Sequence, residues 1–430
     1  MPRSYWVETL GCPKNQVDSD KLEGTLVADG LEAAGDPEAA DVIVINTCAF
    51  IEAARQESID TILAFDARRR PGSRLVVTGC LAERYHDELV EALPEVDLIA
   101  PFGVALQAAP EAVPAGVAVA IGTRPNRAPV PSFDLLNLPR PAAKAPWAYV
   151  KVAEGCDRNC GFCAIPSFRG KQRSRTPHDV LAEVEALGAK EIVLVAQDLA
   201  AYGRDQGQGE RALVPLLAAI NARVDWVRLL YLYPSDLTDG LIDAICATDV
   251  PYFDLSLQHV SAPLLRRMRR WGDGARFLSR IEAIRGRRPE AAFRTNFIVG
   301  YPGETEEDHE ALVAFLDQAQ LDWCGFFAFS PEEGTYATTL DGEVAAGLRD
   351  ERLHELREQQ DDITTARRDA LIGSTVVVLV DEVGVARSFR EAPEIDGVIE
   401  VSAELAVGSF ATVEIVDAQG TDLVGATVES

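Results

Sequence analysis

The sequence is short of positive charge. Its 430 residues include 41 Lys and Arg against 68 Asp and Glu, which gives a formal net charge of −27. A field of that sign repels nucleic acid and acidic membranes over a Debye length of about 8–10 Å, and it attracts basic partners. Two interpretations stay open: the charge serves solubility alone, or it also serves a basic partner.

Long apolar runs and abundant cysteine are also lacking. No apolar stretch approaches the ~20 residues of a membrane-spanning helix, and the first residues do not resemble a secretory signal. Hydrophobic residues make up 47% and charged residues 25%, a globular balance that excludes global disorder. Eight cysteines are too few for a disulfide scaffold. We expect a cytoplasmic protein of several domains with reduced cysteines.

The order of apolar and turn-forming segments predicts an α/β protein with a small all-β end. Strands alternating with helices predict βαβ units and a parallel sheet in residues 1–100. Nine prolines in 101–146 predict a linker or irregular surface connection. Six strand–helix repeats and a charged helix predict a partial (β/α) barrel domain over 147–370. Short alternating strands predict a small β-barrel over 371–430.

The strongest chemical motif is a C-x3-C-x2-C run formed by Cys156, Cys160 and Cys163. It follows the first predicted strand of the partial barrel, on the face where barrel sites are built. Three thiolates on one loop can bind three irons of a cubane cluster and leave the fourth iron open. Zinc would need a further ligand that no nearby Cys or His supplies, and a disulfide would leave one thiol over. We therefore predict a cluster site.

A second cysteine set is spread along the predicted N-terminal sheet. Cys12, Cys48 and Cys80 each lie just past the carboxyl end of a predicted parallel strand. Because neighbouring strands lie about 4.8 Å apart, three loops at one sheet edge can converge on one ligand. The alternative is three unrelated buried cysteines that pack as small hydrophobes. Cys246 and Cys324 are predicted to be core residues of a helix and a strand.

The C-x3-C-x2-C run, with Phe162 before its last cysteine, resembles the motif of radical S-adenosylmethionine (SAM) enzymes. In that superfamily the open iron binds the SAM amino and carboxylate groups, and the reduced cluster cleaves SAM to a 5′-deoxyadenosyl radical. Both cysteine sets together with the all-β tail resemble the methylthiotransferases, which have a TRAM-type C-terminal domain. That resemblance implies SAM and two [4Fe–4S] clusters, one on each cysteine set; we call the cluster of the N-terminal set the auxiliary cluster.

Two segments resemble one branch of that family, which modifies an aspartate of small ribosomal subunit protein twelve: LGCPKNQVDSD (Leu10–Asp20) and REAPEIDG (Arg390–Gly397). The tRNA-modifying branch typically has Gln-Met-Asn after its first cysteine, where Pro13-Lys14-Asn15 stands here. The resemblance implies methylthio transfer to the aspartate β-carbon. The implied partners are the ribosomal protein, free or in the ribosome, an electron donor and a sulfur donor. A tRNA adenosine methylthiotransferase and a non-enzymatic iron–sulfur redox or sensor protein are the alternatives.

The charge of the predicted tail supports the same branch. From Leu371 to Ser430, Arg387 and Arg390 are the only cations against eleven acidic residues, a net charge of −9. TRAM-type domains often bind RNA, but RNA binding requires cations near the phosphates. The tail, including the acidic run REAPEIDG, is therefore expected to repel RNA and to suit a basic protein.

Phe162 and several further residues are candidates for SAM binding by resemblance. Gln197 and Asp198 follow the second barrel strand, where related enzymes bind the SAM amino group. Gly300 and Gly303 follow the fifth, where a glycine-bearing segment contacts the SAM adenosine; the alternative is an ordinary turn with Glu304 in the first helical turn.

Two basic runs, RGKQRSR (Arg169–Arg175) and RRMRR (Arg266–Arg270), lie near predicted barrel loops. Arg175 is a candidate for the SAM carboxylate, which arginine binds well in a bidentate manner. We expect most of the other cations in both runs to lie on a solvent-exposed face.

Overall fold

The computed structural model describes residues 3–106, 133–208 and 212–428. The chain forms two compact units. The first comprises Met1–Pro141, Ala153–Asp157 and Ala164–Asp179; the second comprises Ala142–Val152, Arg158–Cys163 and Val180–Ser430. The central part of the predicted proline-rich connection, 107–132, lies outside the described residues.

The strands and α-helices before residue 208 are β1 (Ser4–Thr9), α1 (Pro13–Ala28), β2 (Glu32–Ala33), β3 (Val42–Thr47), α2 (Glu52–Arg68), β4 (Arg74–Gly79), α3 (Cys80–Arg84), α4 (His86–Ala92), β5 (Leu98–Ala100), β6 (Trp147–Lys151), β7 (Ala153–Glu154), α5 (Ile165–Phe168), β8 (Arg173–Ser174), α6 (Pro177–Leu187) and β9 (Glu191–Val195).

Those after residue 212 are α7 (Leu213–Asn221), β10 (Trp226–Leu229), α8 (Asp239–Cys246), β11 (Tyr252–Gln258), α9 (Ala262–Arg267), α10 (Gly274–Arg287), β12 (Ala292–Val299), α11 (Glu306–Ala319), β13 (Trp323–Ala328), α12 (Ala346–Asp369), β14 (Thr375–Glu382), β15 (Val385–Arg387), β16 (Ile399–Glu400), β17 (Phe410–Gln419) and β18 (Asp422–Thr427). Within the described ranges, no helix is both long and apolar enough to cross a membrane.

The first unit is built on a five-stranded sheet of order β2-β1-β3-β4-β5, in which every neighbouring pair is parallel. Its central strand β3 is buried along its whole length and is rich in Val and Ile, as a parallel strand covered on both faces requires. Helix α1 starts at Pro13, whose fixed φ suits the first helical turn. The predicted parallel sheet is confirmed.

The second unit contains two parallel three-stranded sheets, β10-β9-β6 and β11-β12-β13. A single parallel bridge connects the two sheets: it pairs Leu232, three residues after the end of β10, with Leu255 of β11. The six strands with their intervening helices form the predicted partial (β/α) barrel.

The C-terminal strands close into a barrel of order β14-β15-β16-β18-β17. The alternation of apolar and polar residues along β14 and β17 turns one face inward, and the core consists of buried aliphatic side chains. The predicted all-β end is confirmed.

Two predicted elements differ in their bounds. The residues at 82–92 favour one continuous helix in the sequence, but the structure has two helices here, α3 and α4, because Tyr85 between them has φ −130° and ψ 32°. The apolar run WVRLLYLYP at 226–234 favours one strand, but β10 ends at Leu229, and Tyr231 beyond it has the left-handed φ of 65°. Cys246 ends α8 and is buried, as predicted. Cys324 lies in β13, as predicted, but it is half-buried rather than a core residue.

Candidate cluster and cofactor site

The N-terminal cysteines lie at one edge of the parallel sheet. Cys12 follows β1 after a short loop, whereas Cys48 and Cys80 come directly after β3 and β4. These strands are neighbours in the order β1-β3-β4, so the segments that follow them, two loops and the start of α3, leave the sheet side by side. The structure therefore brings together the three thiols that the sequence places far apart.

Two glycines allow these loops to approach closely. Gly11 has φ +95°, and a Cβ built on it would lie 2.9 Å from Cys48 Sγ. Gly79 has φ +94°, and a Cβ there would lie 2.5 Å from the Thr47 carbonyl oxygen. Only glycine adopts this left-handed backbone easily and has no Cβ to collide with the neighbouring loop. Steric constraints therefore require glycine at both positions that precede a cysteine.

A buried asparagine connects the three loops. Asn15 Nδ2 donates to the carbonyl oxygen of Leu10, just after β1, at 2.8 Å and to that of Thr47, the last residue of β3, at 3.0 Å. Its Oδ1 accepts a hydrogen bond from Arg169 Nη2 at 2.8 Å. The same nitrogen lies 3.0 Å from Cys80 Sγ, at the end of β4. One pair of side chains thus links all three loops.

The thiols influence one another electrostatically. Burial opposes ionisation of Cys12, but Lys14, backbone N–H groups at the start of α1 and Arg169 outweigh it and lower its pKa. Burial and the neighbouring Cys80 and Cys12 raise the pKa of Cys48 to about 12. Burial also raises the pKa of Cys80, against the effect of Arg169. A cationic iron core would supply the charge that lets all three ionise.

The donor set therefore fits an iron–sulfur cluster. Within the described part of the chain, no three or more His, Cys, Asp or Glu side chains converge so as to hold one metal ion. A cubane takes one thiolate per iron, so its ligands bind different iron atoms rather than a common one.

The C-x3-C-x2-C segment follows β6, as predicted. In the first unit, the Cys156 N–H donates to the Gly170 carbonyl at 3.0 Å. In the second unit, the Cys163 N–H donates to the Cys160 carbonyl at 3.2 Å, and Arg270 Nη1 lies 3.3 Å from Cys160 Sγ. Backbone hydrogen bonds thus hold this segment in place, whereas side-chain hydrogen bonds hold the segments of the N-terminal cysteine set.

The tip of that segment is fixed by close backbone contacts. The Gly161 N–H donates to the Met268 carbonyl at 2.8 Å, and its own carbonyl accepts from the Ala337 N–H at 2.8 Å. A Cβ on Gly161 would lie 2.7 Å from the Tyr301 hydroxyl. Phe162, the aromatic residue of the motif, is half-buried beside this glycine.

Gln197 and Asp198 follow β9, where the sequence predicts SAM-binding residues. Gln197 is half-buried and Asp198 is buried. The Asp198 carboxylate accepts from Arg158 Nε at 2.6 Å, and Arg158 also pairs with Asp236. Burial raises the pKa of Asp198, and Arg158 opposes that effect. In this structure the chain's own guanidinium engages the carboxylate.

Gly300 and Gly303 lie in the turn after β12, with φ of +81° and +86°. Their N–H groups donate to Glu304 Oε2 at 2.7 Å and to the Gly342 carbonyl at 2.6 Å. The alternative that placed Glu304 in the first helical turn is wrong in that detail, because α11 begins only after it. Its buried carboxylate instead pairs with Arg352 at 2.8 Å.

The first basic run is not a solvent-exposed face, contrary to expectation. Arg169 and Arg175 are only 9% and 4% exposed, and Arg173 pairs with Asp134 at 2.6 Å. Arg175 donates to Asn137 Oδ1 at 3.2 Å. Carboxylates and amide oxygens of the first unit supply the partners that buried arginines require. Arg175 belongs to the first unit, whereas the other five predicted SAM residues belong to the second.

Sequence reasoning missed three residues that touch the cysteine sites: Asn15, Arg169 and Arg270. Each lies in a segment that was singled out for another reason, either the branch motif or a basic run. The only signals in the sequence that could have pointed to these three residues were the cysteine three positions before Asn15 and the basic runs that contain the two arginines. Which of several arginines is buried against a thiol depends on tertiary contacts that local sequence does not contain.

Three family models match the chain. They are Uncharacterized protein family UPF0004 over residues 4–101, the Radical SAM superfamily over 150–316 and the TRAM domain over 372–428. The fold and these matches define a radical SAM enzyme, for which an iron–sulfur cluster and SAM are the cofactors.

Curated relatives specify the reaction. The chain is 46% identical over 420 residues to ribosomal protein uS12 methylthiotransferase RimO of Moorella thermoacetica, covering 95% of both chains. It is 40% identical over 436 residues to the protein of that name from Thermotoga maritima, covering 98% of this chain and 99% of the relative. This chain belongs to the ribosomal protein uS12 methylthiotransferase family. It is a methylthiotransferase of uS12, and the tRNA-modifying and non-enzymatic alternatives are not favoured.

Proposed function

We propose that this enzyme adds the methylthio group to the β-carbon of an aspartate of uS12 and that it does so with two [4Fe–4S] clusters. The proposal of a second cluster is supported by one observation: the three N-terminal cysteines follow neighbouring strands and lie at one edge of the sheet. The proposed ligands are Cys12, Cys48 and Cys80 for the auxiliary cluster and Cys156, Cys160 and Cys163 for the SAM-binding cluster. Bound together with SAM, these clusters supply radical hydrogen abstraction at an unactivated carbon and a carrier for sulfur.

The chain's own residues hold and shield these groups. Asn15 fixes the loops of the auxiliary site, and the backbone contacts of Gly161 fix the other cysteine segment. Burial of Cys48, Cys80 and Cys156 keeps water away from the thiols.

For SAM we propose contacts from Phe162, Gln197, Asp198, Arg175, Gly300 and Gly303. When SAM binds, the Asp198 carboxylate would release Arg158 and accept the SAM amino group instead, since both partners are cations. We further propose the domain limits 1–100, 101–146, 147–370 and 371–430, a cytoplasmic location beside the ribosomal substrate, and an electron donor and a sulfur donor as partners.

We propose that uS12, a basic ribosomal protein, docks on the acidic C-terminal barrel. Both cations of this barrel are engaged by acids: Arg387 is 2% exposed and lies 2.9 Å from Glu191, and Arg390 lies 3.7 Å from Asp322. Among the described residues of the barrel, the exposed acidic ones are Glu382, Glu394, Glu400, Glu404, Glu414 and Asp417. The barrel surface is therefore anionic in a way that repels RNA.

The run REAPEIDG contributes less to that surface than its composition indicates. Glu391 is fully buried and pairs with Arg368, and the Asp396 side chain is 2% exposed and accepts a hydrogen bond from Tyr252. Burial has turned these carboxylates into internal ion-pair partners. Only Glu394 of the three acids in this run is exposed.

The test reconstitutes the full-length enzyme anaerobically with iron, sulfide, SAM and reductant. Purified uS12 and tRNA are offered separately, and mass spectrometry locates the methylthio group. We expect label on an aspartate β-carbon of uS12 and none on tRNA. The triple variant Glu400→Gln, Glu404→Gln, Glu414→Gln should raise KM for uS12 several-fold at unchanged kcat, whereas Glu52→Gln, Glu57→Gln, Asp60→Asn on α2 should not. Label on tRNA adenosine, or an unchanged KM, contradicts the proposal.

A further inference from the structure

We propose that Arg169 is a positioning residue of the auxiliary site, whose guanidinium donates a hydrogen bond to the sulfur of Cys80 and thereby raises the reduction potential of the cluster bound there. The inference rests on the proposed assignment of Cys12, Cys48 and Cys80 as cluster ligands.

The guanidinium of Arg169 is held from several sides. Nη1 lies 3.0 Å from both Asp18 Oδ2 and Glu154 Oε2. Nη2 donates to Asn15 Oδ1 at 2.8 Å and to Cys80 Sγ at 3.0 Å. The planar group also lies over the ring of Phe102, 4.2 Å from its centroid. Because these contacts fix the plane, the direction of the N–H toward sulfur is fixed as well.

A purely structural ion pair would not need this geometry. Nη1 contacts both carboxylates, whereas Nη2 contacts the asparagine and the thiol, so the contact with sulfur is not part of either ion pair. A neutral thiol is a weak acceptor, whereas a thiolate accepts a charge-assisted bond from arginine. An N–H that points at Cys80 Sγ is therefore suited to the ionised, ligated form of this cysteine.

Such a contact has a defined consequence for a bound cluster. Hydrogen bonds to the ligand sulfurs and nearby positive charge stabilise the added electron, so they raise the reduction potential. The effect is strong because Arg169 is buried, where charges are poorly screened. Arginine does not lose its proton in proteins, so the contribution stays constant with pH.

The test uses the full chain with the substitutions Cys156→Ala, Cys160→Ala and Cys163→Ala. These remove the proposed ligands of the SAM-binding cluster, so that the auxiliary site can be measured alone. Iron and sulfide content and a redox titration followed by electron paramagnetic resonance are measured in this parent. Arg169→Met is then introduced, and Arg173→Met serves as the matched control. That control removes an arginine of the same basic run that pairs with Asp134.

We expect Arg169→Met to shift the midpoint to more negative values, by about a tenfold change in the reduced-to-oxidised ratio, or ~59 mV for one electron. Arg169→Lys keeps the charge but cannot reach four acceptors at once, so a smaller negative shift is expected. Arg173→Met should leave the midpoint and the iron content unchanged.

The outcomes separate the inference from the assignment it rests on. If the parent background binds no iron, the proposed auxiliary cluster itself is wrong. If the parent binds iron but the midpoint of Arg169→Met equals that of the parent, the role of Arg169 is wrong. Removing Arg169 takes one cation away from the buried Asp18 and the half-buried Glu154 and can unfold the unit. In that case Arg169→Lys decides, because an unchanged midpoint in the folded lysine variant overturns the proposal.

Discussion

The two cysteine sets of this chain reach their sites by opposite routes. The N-terminal set comes from three strands that are far apart in sequence, and buried side chains, Asn15 and Arg169, join its loops. The C-x3-C-x2-C set lies within one short segment, and main-chain hydrogen bonds of Gly161 fix the tip of that segment. A site assembled by a sheet depends on the strand order, whereas a site on one loop depends on local backbone contacts.

The difference also determines how specific each sequence signal is. Spacing alone identifies the loop set, because the ligands are neighbours in the chain. The sheet set becomes visible only through its repeated position after strands, and a single cysteine such as Cys80 carries no signal by itself.

The largest expected effect comes from removing one cysteine of each set. Cys80→Ala and Cys163→Ala should each lose roughly half of the bound iron, because one [4Fe–4S] cluster needs all three thiolates of its set. Cys163→Ala should abolish SAM cleavage, whereas Cys80→Ala should still form 5′-deoxyadenosine but transfer no methylthio group. Iron analysis and product chromatography check this, with Cys246→Ala as the control. Full iron content in Cys80→Ala would show that the auxiliary assignment is wrong.

A smaller effect is expected from a glycine of the sheet-assembled site. Gly79→Ala places a Cβ 2.5 Å from the Thr47 carbonyl at a left-handed φ, so we expect a loss of about 3 kcal/mol or more in the free energy of unfolding. Gly72→Ala has a similar φ of +85° but no atom within 4 Å, so it should cost only about 1 kcal/mol. Urea denaturation followed by circular dichroism compares the two variants. Equal losses would mean that the close approach of the loops is not what requires Gly79.

The smallest effect is expected at the loop set. Arg270 lies 3.3 Å from Cys160 Sγ, farther than Arg169 is from Cys80, and backbone contacts already hold this segment. In a background with Cys12→Ala, Cys48→Ala and Cys80→Ala, Arg270→Met should shift the midpoint of the SAM-binding cluster to more negative values, but less than Arg169→Met shifts the auxiliary one. Arg276→Met, an exposed arginine of α10, is the control. A larger midpoint shift for Arg270→Met than for Arg169→Met would show that side-chain contacts matter more at the C-x3-C-x2-C set, contrary to this prediction.

Much of the fold was predictable because apolar periodicity is local. The apolar run VIVIN at 42–46 favours a strand, which is the buried central strand β3, and the alternation over 371–430 predicts the observed β-barrel. The break at Tyr85 and the buried state of Arg169 were not predictable, since both depend on contacts with residues distant in sequence. The buried acids of REAPEIDG were missed for the same reason.

The sequence by itself determined the order of the elements and the cysteines that are candidates for iron, since motif spacing and periodicity are properties of neighbouring residues. The class of enzyme followed from the resemblance of its motifs to those of a known family. The tertiary structure alone decided that the loops after β1, β3 and β4 meet, that Asn15 joins them and that Arg169 points at a thiol. Those contacts join residues that only the sheet order brings together, because a buried charge or amide takes its partners from whatever the fold places beside it.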